Sequence, residues 1–218
     1  MRSMLRIPLT TSEEQYARLE ALQSAFAEVC NALGLVVQRT RVWNRVALHH
    51  MAYKELRERF PALGSQMVCN AIYSVSRACR LVFQTPESPL HLSKLGTRTL
   101  PLLMFTRDCP VFFDRHTLSL KSGQVSMFTL DGRMRFQLSL RPEDEYTFHT
   151  CKVLEIVLQR RTGCFELSFV FELDDRGAHG DSEGPQMNKA ETCSGQDTTP
   201  FAPKLSVIPA YVRVEEVA

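Results

Sequence analysis

Apolar residues recur at intervals of three and four along the first third of the chain. The first stripe is Leu19, Leu22, Phe26, Val29 and Leu33; Thr11 stands where a cap belongs, Glu14 three residues later completes a capping box, and Gly34 supplies a stop. A second stripe runs Val42, Val46, His49, Tyr53, Leu56 and Phe60 and ends at the Pro- and Gly-bearing segment 61–64. A third starts at Ser65 and carries Val68, Ile72, Val75, Cys79 and Val82. Three amphipathic helices with short connections predict a three-helix bundle over residues 11–84, and packing alone accounts for the aliphatic positions of their stripes.

Elsewhere the period is two. Residues 4–9 alternate, with Pro8 suited to an edge strand. Residues 85–100, broken by Pro86, Pro89 and Gly96, read as a linker loop. Strands are then expected over 102–105, 111–113, 117–120, 124–129, 134–140, 151–159 and 164–173, separated by turn signals such as Lys121-Ser122-Gly123 and Asp131-Gly132. So many short strands over 101–173 predict a small barrel or a curled antiparallel sheet, which closes or covers its edges. From residue 174 the composition turns to Gly, Ser, Asp, Glu, Gln and Pro, so that 174–218 is expected to be mostly a disordered acidic tail, with 205–214 either one last strand or part of that tail. The fold class is α+β.

Composition adds limits. With 218 residues, 44% of them apolar and 23% charged, the chain has room for one core, or for a helical and a strand-rich module that share an interface. No apolar run approaches the roughly 20 residues that span a bilayer, and the start has no signal-peptide core, which predicts an intracellular, cytoplasmic protein without a membrane partner. Seven scattered cysteines with no C-x-x-C pair read as reduced thiols.

Charge changes the picture more. The net value is only +2, yet residues 1–100 hold 13 Lys and Arg against 7 Asp and Glu, while 174–218 hold 4 against 8. A basic front with an acidic tail points to a polyanion partner for the first hundred residues. Between residues 39 and 98 stand ten cations against three acids: Arg39, Arg41, Arg45, Lys54, Arg57, Arg59, Arg77, Arg80, Lys94 and Arg98. Such a field suits phosphates, whose neutralisation releases counterions, and arginine offers bidentate contacts that lysine lacks. A solvated helix face is the alternative. The adjacent His49 and His50 cannot aim at one metal as an i, i+4 pair would. Asp174-Asp175 after the last apolar strand has no further strand-borne carboxylates to make a two-metal hydrolase site, although that reading predicts a bound divalent ion. No G-x-S-x-G, phosphate-binding glycine loop or plausible Cys–His pair is present, so neither a catalytic residue nor a cofactor is expected.

Several segments together resemble the TnpB family of transposon-encoded RNA-guided DNA nucleases, relatives of type V CRISPR effectors. They are Arg6-Ile7-Pro8-Leu9 with Glu14-Gln15 and Cys30-Asn31-Ala32-Leu33; Trp43-Asn44-Arg45 through His49, Tyr53, Leu56-Arg57, Phe60-Pro61 and Leu63-Gly64-Ser65-Gln66, with 71–77; and Ser119-Leu120 through Gly132-Arg133-Met134, with the two strands ending near Leu173. The resemblance covers about 170 residues. It implies an OB-like barrel, the wedge domain, interrupted by a helical recognition insertion, the two together gripping a guide RNA and the duplex beside the target. It also implies that His49, Tyr53, Gln66 and Asn70 face that duplex, and that Arg57, Arg77, Arg80 and Arg133 hold phosphates, with Arg135 beside the last as a further nucleic-acid contact. The family's RuvC-like nuclease domain has no counterpart here. The expectation is a truncated or split relative that binds RNA and double-stranded DNA without cutting, with a separately encoded nuclease subunit as a further candidate partner; a protein-interaction module or accessory subunit is the alternative.

Overall fold

The computed structural model describes residues 2–172 and 207–215. The chain opens on β1 (Arg2–Leu9) and passes into α1 (Glu13–Thr40). The N-cap is Ser12, one residue later than the spacing predicts. Its hydroxyl accepts from the Gln15 N–H at 3.2 Å, and the Gln15 side chain accepts from the Ser12 N–H at 3.0 Å. Nor does the helix stop at Gly34. A β-carbon there would lie 2.6 Å from the carbonyl oxygen of Leu103, so this glycine serves the close approach of helix and strand and not termination. The helix ends at Arg41, which takes the left-handed conformation (φ 57°) and closes its N–H on the Val37 carbonyl.

Asn44 then caps α2 (Arg45–Arg59), its side-chain oxygen accepting from the N–H groups of Val46 at 3.0 Å and Ala47 at 3.3 Å. The seam of α2 differs from the predicted one. Leu48, Ala52 and Leu56 are buried at strict four-residue spacing, whereas Val46 is 64% exposed and His49 and Tyr53 flank the contact. Small Ala52 gave that line little apolar weight. In α3 (Ser65–Gln84) the expected stripe of Val68, Ile72, Val75, Cys79 and Val82 is buried throughout. The linker carries one short helix, α4 (Leu92–Leu95).

The strands are β2 (Leu102–Phe105), β3 (Val111–Phe113), β4 (Leu118–Lys121), β5 (Gln124–Thr129), β6 (Gly132–Gln137), β7 (Lys152–Arg161), β8 (Cys164–Glu172) and β9 (Val212–Glu215). Between β6 and β7 lies a helix that periodicity misses, α5 (Pro142–Thr150), which has Pro in its first turn, three acidic residues after it, and only one buried residue, Asp144. All pairing is antiparallel. One sheet has the order β1-β8-β7-β3, a second joins β2 to β9, and a third is β4-β5-β6. Pro8 sits on the edge strand β1, as its missing N–H requires. Among the described residues no sheet closes on itself, so the expected barrel appears as three separate antiparallel sheets. The division occurs at one corner: the Asp114 carboxylate accepts from the N–H groups of His116 and Thr117 and from the Thr117 hydroxyl, which turns the chain out of β3 and into β4 of another sheet.

Helices and sheets share one buried cluster that includes Phe26, Phe83, Phe165, Phe169 and Phe171. Helix α1 packs on β2 as well as on α3, and α3 packs on β3, so the helical stretch is not a bundle closed on itself. Asn31 binds it to the sheet through both atoms of its amide, donating to the Phe105 carbonyl at 3.1 Å and accepting from the Phe105 N–H at 2.6 Å. The six described cysteines are free thiols. No described helix is long and apolar enough to cross a membrane. Asp174, Asp175 and most of the expected tail lie outside the described residues, and the possible strand over 205–214 is met by the four-residue β9, which extends to Glu215.

Candidate nucleic-acid interface

The basic side chains singled out in the sequence divide by what they already touch. Several stitch the fold. Arg41 donates to the carbonyls of Arg98 at 2.5 Å and Gly96 at 3.0 Å, fastening the end of α1 to the loop after α4. Lys94 donates to the Ser88 carbonyl at 2.7 Å, Arg39 to the Leu35 carbonyl at 3.3 Å, and Arg57 to the Leu63 carbonyl. Arg133 donates to the carbonyls of Ser126 at 3.2 Å and His116 at 3.1 Å and lies 4.2 Å over the Phe128 ring. Arg77 forms a 2.5 Å ion pair with Glu155, whose same oxygen accepts from the Tyr73 hydroxyl at 2.8 Å. Partial burial lowers the guanidinium's proton affinity, but the Glu155 carboxylate outweighs this and holds Arg77 above its ordinary value. Burial first, and then the same carboxylate, push the Tyr73 hydroxyl up.

The polar residues that the resemblance places on a duplex are largely occupied. Asn70 is buried, and its amide donates to the Phe112 carbonyl at 3.0 Å, holding α3 onto β3; an inward position of this kind cannot meet a duplex. Gln66 donates to Asp114 at 2.6 Å. His49 stacks on Tyr53, ring centroids 4.5 Å apart and planes 18° apart, as residues one turn apart on α2 can. His50 is set edge-on to His49.

The side chains of Arg45, Lys54, Arg59, Arg80, Arg98 and Arg135 remain without a hydrogen-bond or ion-pair partner among the described residues, Arg59 lying 5.2 Å over the Phe60 ring. They do not share one face. Arg135 and Arg133 border a depression with Ser12 and Gln15 at the start of α1, whereas Arg39 and Arg41 stand at its end. With a rise of about 1.5 Å per residue, the 28-residue helix separates the two groups by roughly 42 Å.

Arg45 and Arg80 do come together. They line a cleft of about 420 Å³ with Trp43, Asn44, Tyr73, Ser76 and Gln84. Its construction is simple: Tyr73, Ser76, Arg80 and Gln84 succeed one another at intervals of three and four along one face of α3, and the connection from α1 to α2 crosses that face. Trp43 fixes the crossing by packing on Phe83 at 5.5 Å between ring centroids. The Arg45 guanidinium lies 5.6 Å over the Tyr73 ring. No carboxylate lines the cleft, and α2 begins there with no acidic residue in its first turn, so its N-terminal dipole adds to the positive field. Cation spacing in the sequence found Arg45 and Arg80 but missed Trp43, Tyr73, Ser76 and Gln84 as wall residues; the 73-76-80-84 interval was the available signal.

A larger cleft of about 990 Å³ opens between β4 and the first half of β7, walled by Leu120, Leu140, Phe148, Val153, Leu154 and Phe169 among others. Strand β3 covers β7 only at residues 156–158, so among the described residues 152–155 have one strand neighbour, β8, and β4 has one, β5.

Compared with known proteins, the chain matches no protein-family model and no curated protein.

Proposed function

We propose that this chain is a TnpB-like nucleic-acid-binding protein that grips RNA and DNA backbones through arginines on its helical face and does not itself cleave them. The observation that carries the reading is the cleft in which Arg45 and Arg80, both free of acidic partners, stand among aromatic and amide side chains with no carboxylate in the wall. Phosphates need such unneutralised guanidinium groups. The topology supports the same reading. Strand β1 pairs with the distant β8, Leu9 opposite Phe165, so that α1, α2 and α3 leave a strand scaffold and return to it as an insertion would. In this proposal the three separate sheets serve as an open, OB-like strand scaffold, and the partners are a guide-type RNA, double-stranded DNA and a separately encoded nuclease.

Fluorescence anisotropy with a labelled 20-mer RNA and a 20-bp DNA duplex, across a salt series, tests it. Binding is expected, with log K falling linearly against log salt; Arg80→Gln lowers the magnitude of the single-strand slope by about 0.7, the share of one lost phosphate contact. Absent or salt-insensitive binding overturns it.

The cleft beside β4 favours a second reading, docking of an extended polypeptide strand against the open edges of β4 and β7. A protein docker keeps its partner when Arg45 and Arg80 are reversed to Glu and never binds the oligonucleotides.

A further inference from the structure

Resting on the nucleic-acid reading, we infer that the cleft between Trp43 and Arg80 accepts one unpaired nucleotide, its base against Trp43 and Arg45 and its phosphate on Arg80, so that the strand it holds is single. The hydrogen-bonding inventory of the wall selects the ligand. Asn44 uses its side-chain oxygen to cap α2, which leaves its amide N–H groups for another acceptor. The indole N–H of Trp43 and the guanidinium of Arg80 have no partner among the described residues, and Gln84 is exposed. The wall is therefore rich in donors and carries two positive charges. Its complement is an anion with many acceptor atoms.

Planarity comes from the other groups. The Arg45 guanidinium lies 5.6 Å from the centroid of one ring, that of Tyr73, and a guanidinium is itself a plane on which a base can stack. Trp43 supplies an indole beside it. Both supports are held fast: Trp43 by Phe83, and Tyr73 by its hydroxyl bond to Glu155, which also holds Arg77. Stacking surfaces held in place before the ligand arrives lose little freedom on binding. A base within a duplex has both faces covered by its neighbours and cannot offer one to this wall. At about 420 Å³ the cleft also lies near the lower end of ligand pockets, which run from about 300 to 1,000 Å³, and suits one nucleotide and not a length of double helix.

Trp43 is the only tryptophan of the chain and lines this cleft, so the chain's tryptophan emission comes from the cleft wall. The experiment follows tryptophan fluorescence and the anisotropy of a labelled oligonucleotide in one titration, with an unpaired 10-mer, the same sequence as a duplex, uridine monophosphate, and inorganic phosphate. The expected result is quenching of Trp43 by the unpaired 10-mer at the same midpoint as the anisotropy rise, weaker quenching by the mononucleotide, and none by phosphate. Arg80→Gln, at an exposed position that tolerates the change, is expected to raise that midpoint about fivefold or more, and Trp43→Leu, read by anisotropy alone, about tenfold. Anisotropy that rises while Trp43 emission stays constant overturns the cleft as the binding point and leaves nucleic-acid binding standing. Equal quenching by inorganic phosphate overturns the stacked base. No change in either signal overturns both readings.

Discussion

Tyr73 and Arg77 stand one helical turn apart on α3 and direct their polar groups to the same oxygen of Glu155 on β7. This three-membered contact joins the helical face to the strand scaffold and anchors Tyr73, whose ring lines the cleft. Glu155 is mostly buried at its side chain, 18% exposed, while Arg77 remains 40% exposed and is screened in part by solvent. Glu155→Gln is expected to cost about 1–2 kcal/mol of stability, less than a fully buried pair would. Urea unfolding monitored by circular dichroism measures it; an unchanged midpoint removes the contact from the account of what holds α3 in place.

Gly34 offers a sharper test of the packing. Alanine favours a helix interior by about 1 kcal/mol over glycine, so on helix propensity alone Gly34→Ala should stabilise α1. The Leu103 carbonyl, 2.6 Å from the new carbon, belongs to backbone and cannot swing aside. Net destabilisation of about 1–3 kcal/mol is expected, read as a lower thermal midpoint. A raised midpoint contradicts the close approach of α1 and β2.

Asn70 separates the structural account from the one that the resemblance implies. With its amide on the Phe112 carbonyl, Asn70→Leu leaves that acceptor unsatisfied and is expected to cost about 1–3 kcal/mol. The folded variant should bind oligonucleotides as the parent does. A variant of parental stability and reduced affinity would put Asn70 at the interface instead.

Alkaline pH weakens the protein through acids that burial keeps protonated, the buried Cys79 thiol and the partly buried Tyr211 hydroxyl among them. Burial raises the Cys79 thiol from 9.0 to about 12, and burial chiefly raises the Tyr211 hydroxyl from 10.0 to about 12. In both cases the folded state holds its proton more tightly than the unfolded chain, so the stability tied to these groups is complete below about pH 9 and is lost as pH climbs toward 12. Urea midpoints at pH 8 and pH 10.5 should show the fall, and Cys79→Ala should make it shallower. A flat profile would place the thiol in contact with solvent.

The α3 stripe was legible from end to end, because Val68, Ile72, Val75, Cys79 and Val82 are apolar at helical spacing and every one of them is buried. Strands β5 and β6 were legible for the same kind of reason, since their residues alternate between buried and exposed beside the turns at Gly123 and Gly132, whereas β3 is buried throughout and was legible as a short apolar run. The α2 seam was not, since Ala52 is too small to register beside His49 and Tyr53, and α5 was not, since its start signals come without an apolar stripe.

The sequence by itself determined the order and kind of most elements, the reservoir of arginines, and the edge position that Pro8 demands; each is a local consequence of side-chain period, charge or a missing N–H. Only the tertiary structure decided which arginines are free. Arg77 and Arg80 are three residues apart on one helix, yet one meets Glu155 from β7, 78 residues away, and the other meets no acid among the described residues. Whether a charge is neutralised depends on what the fold brings within about 4 Å of it, and neither composition nor spacing carries that distance.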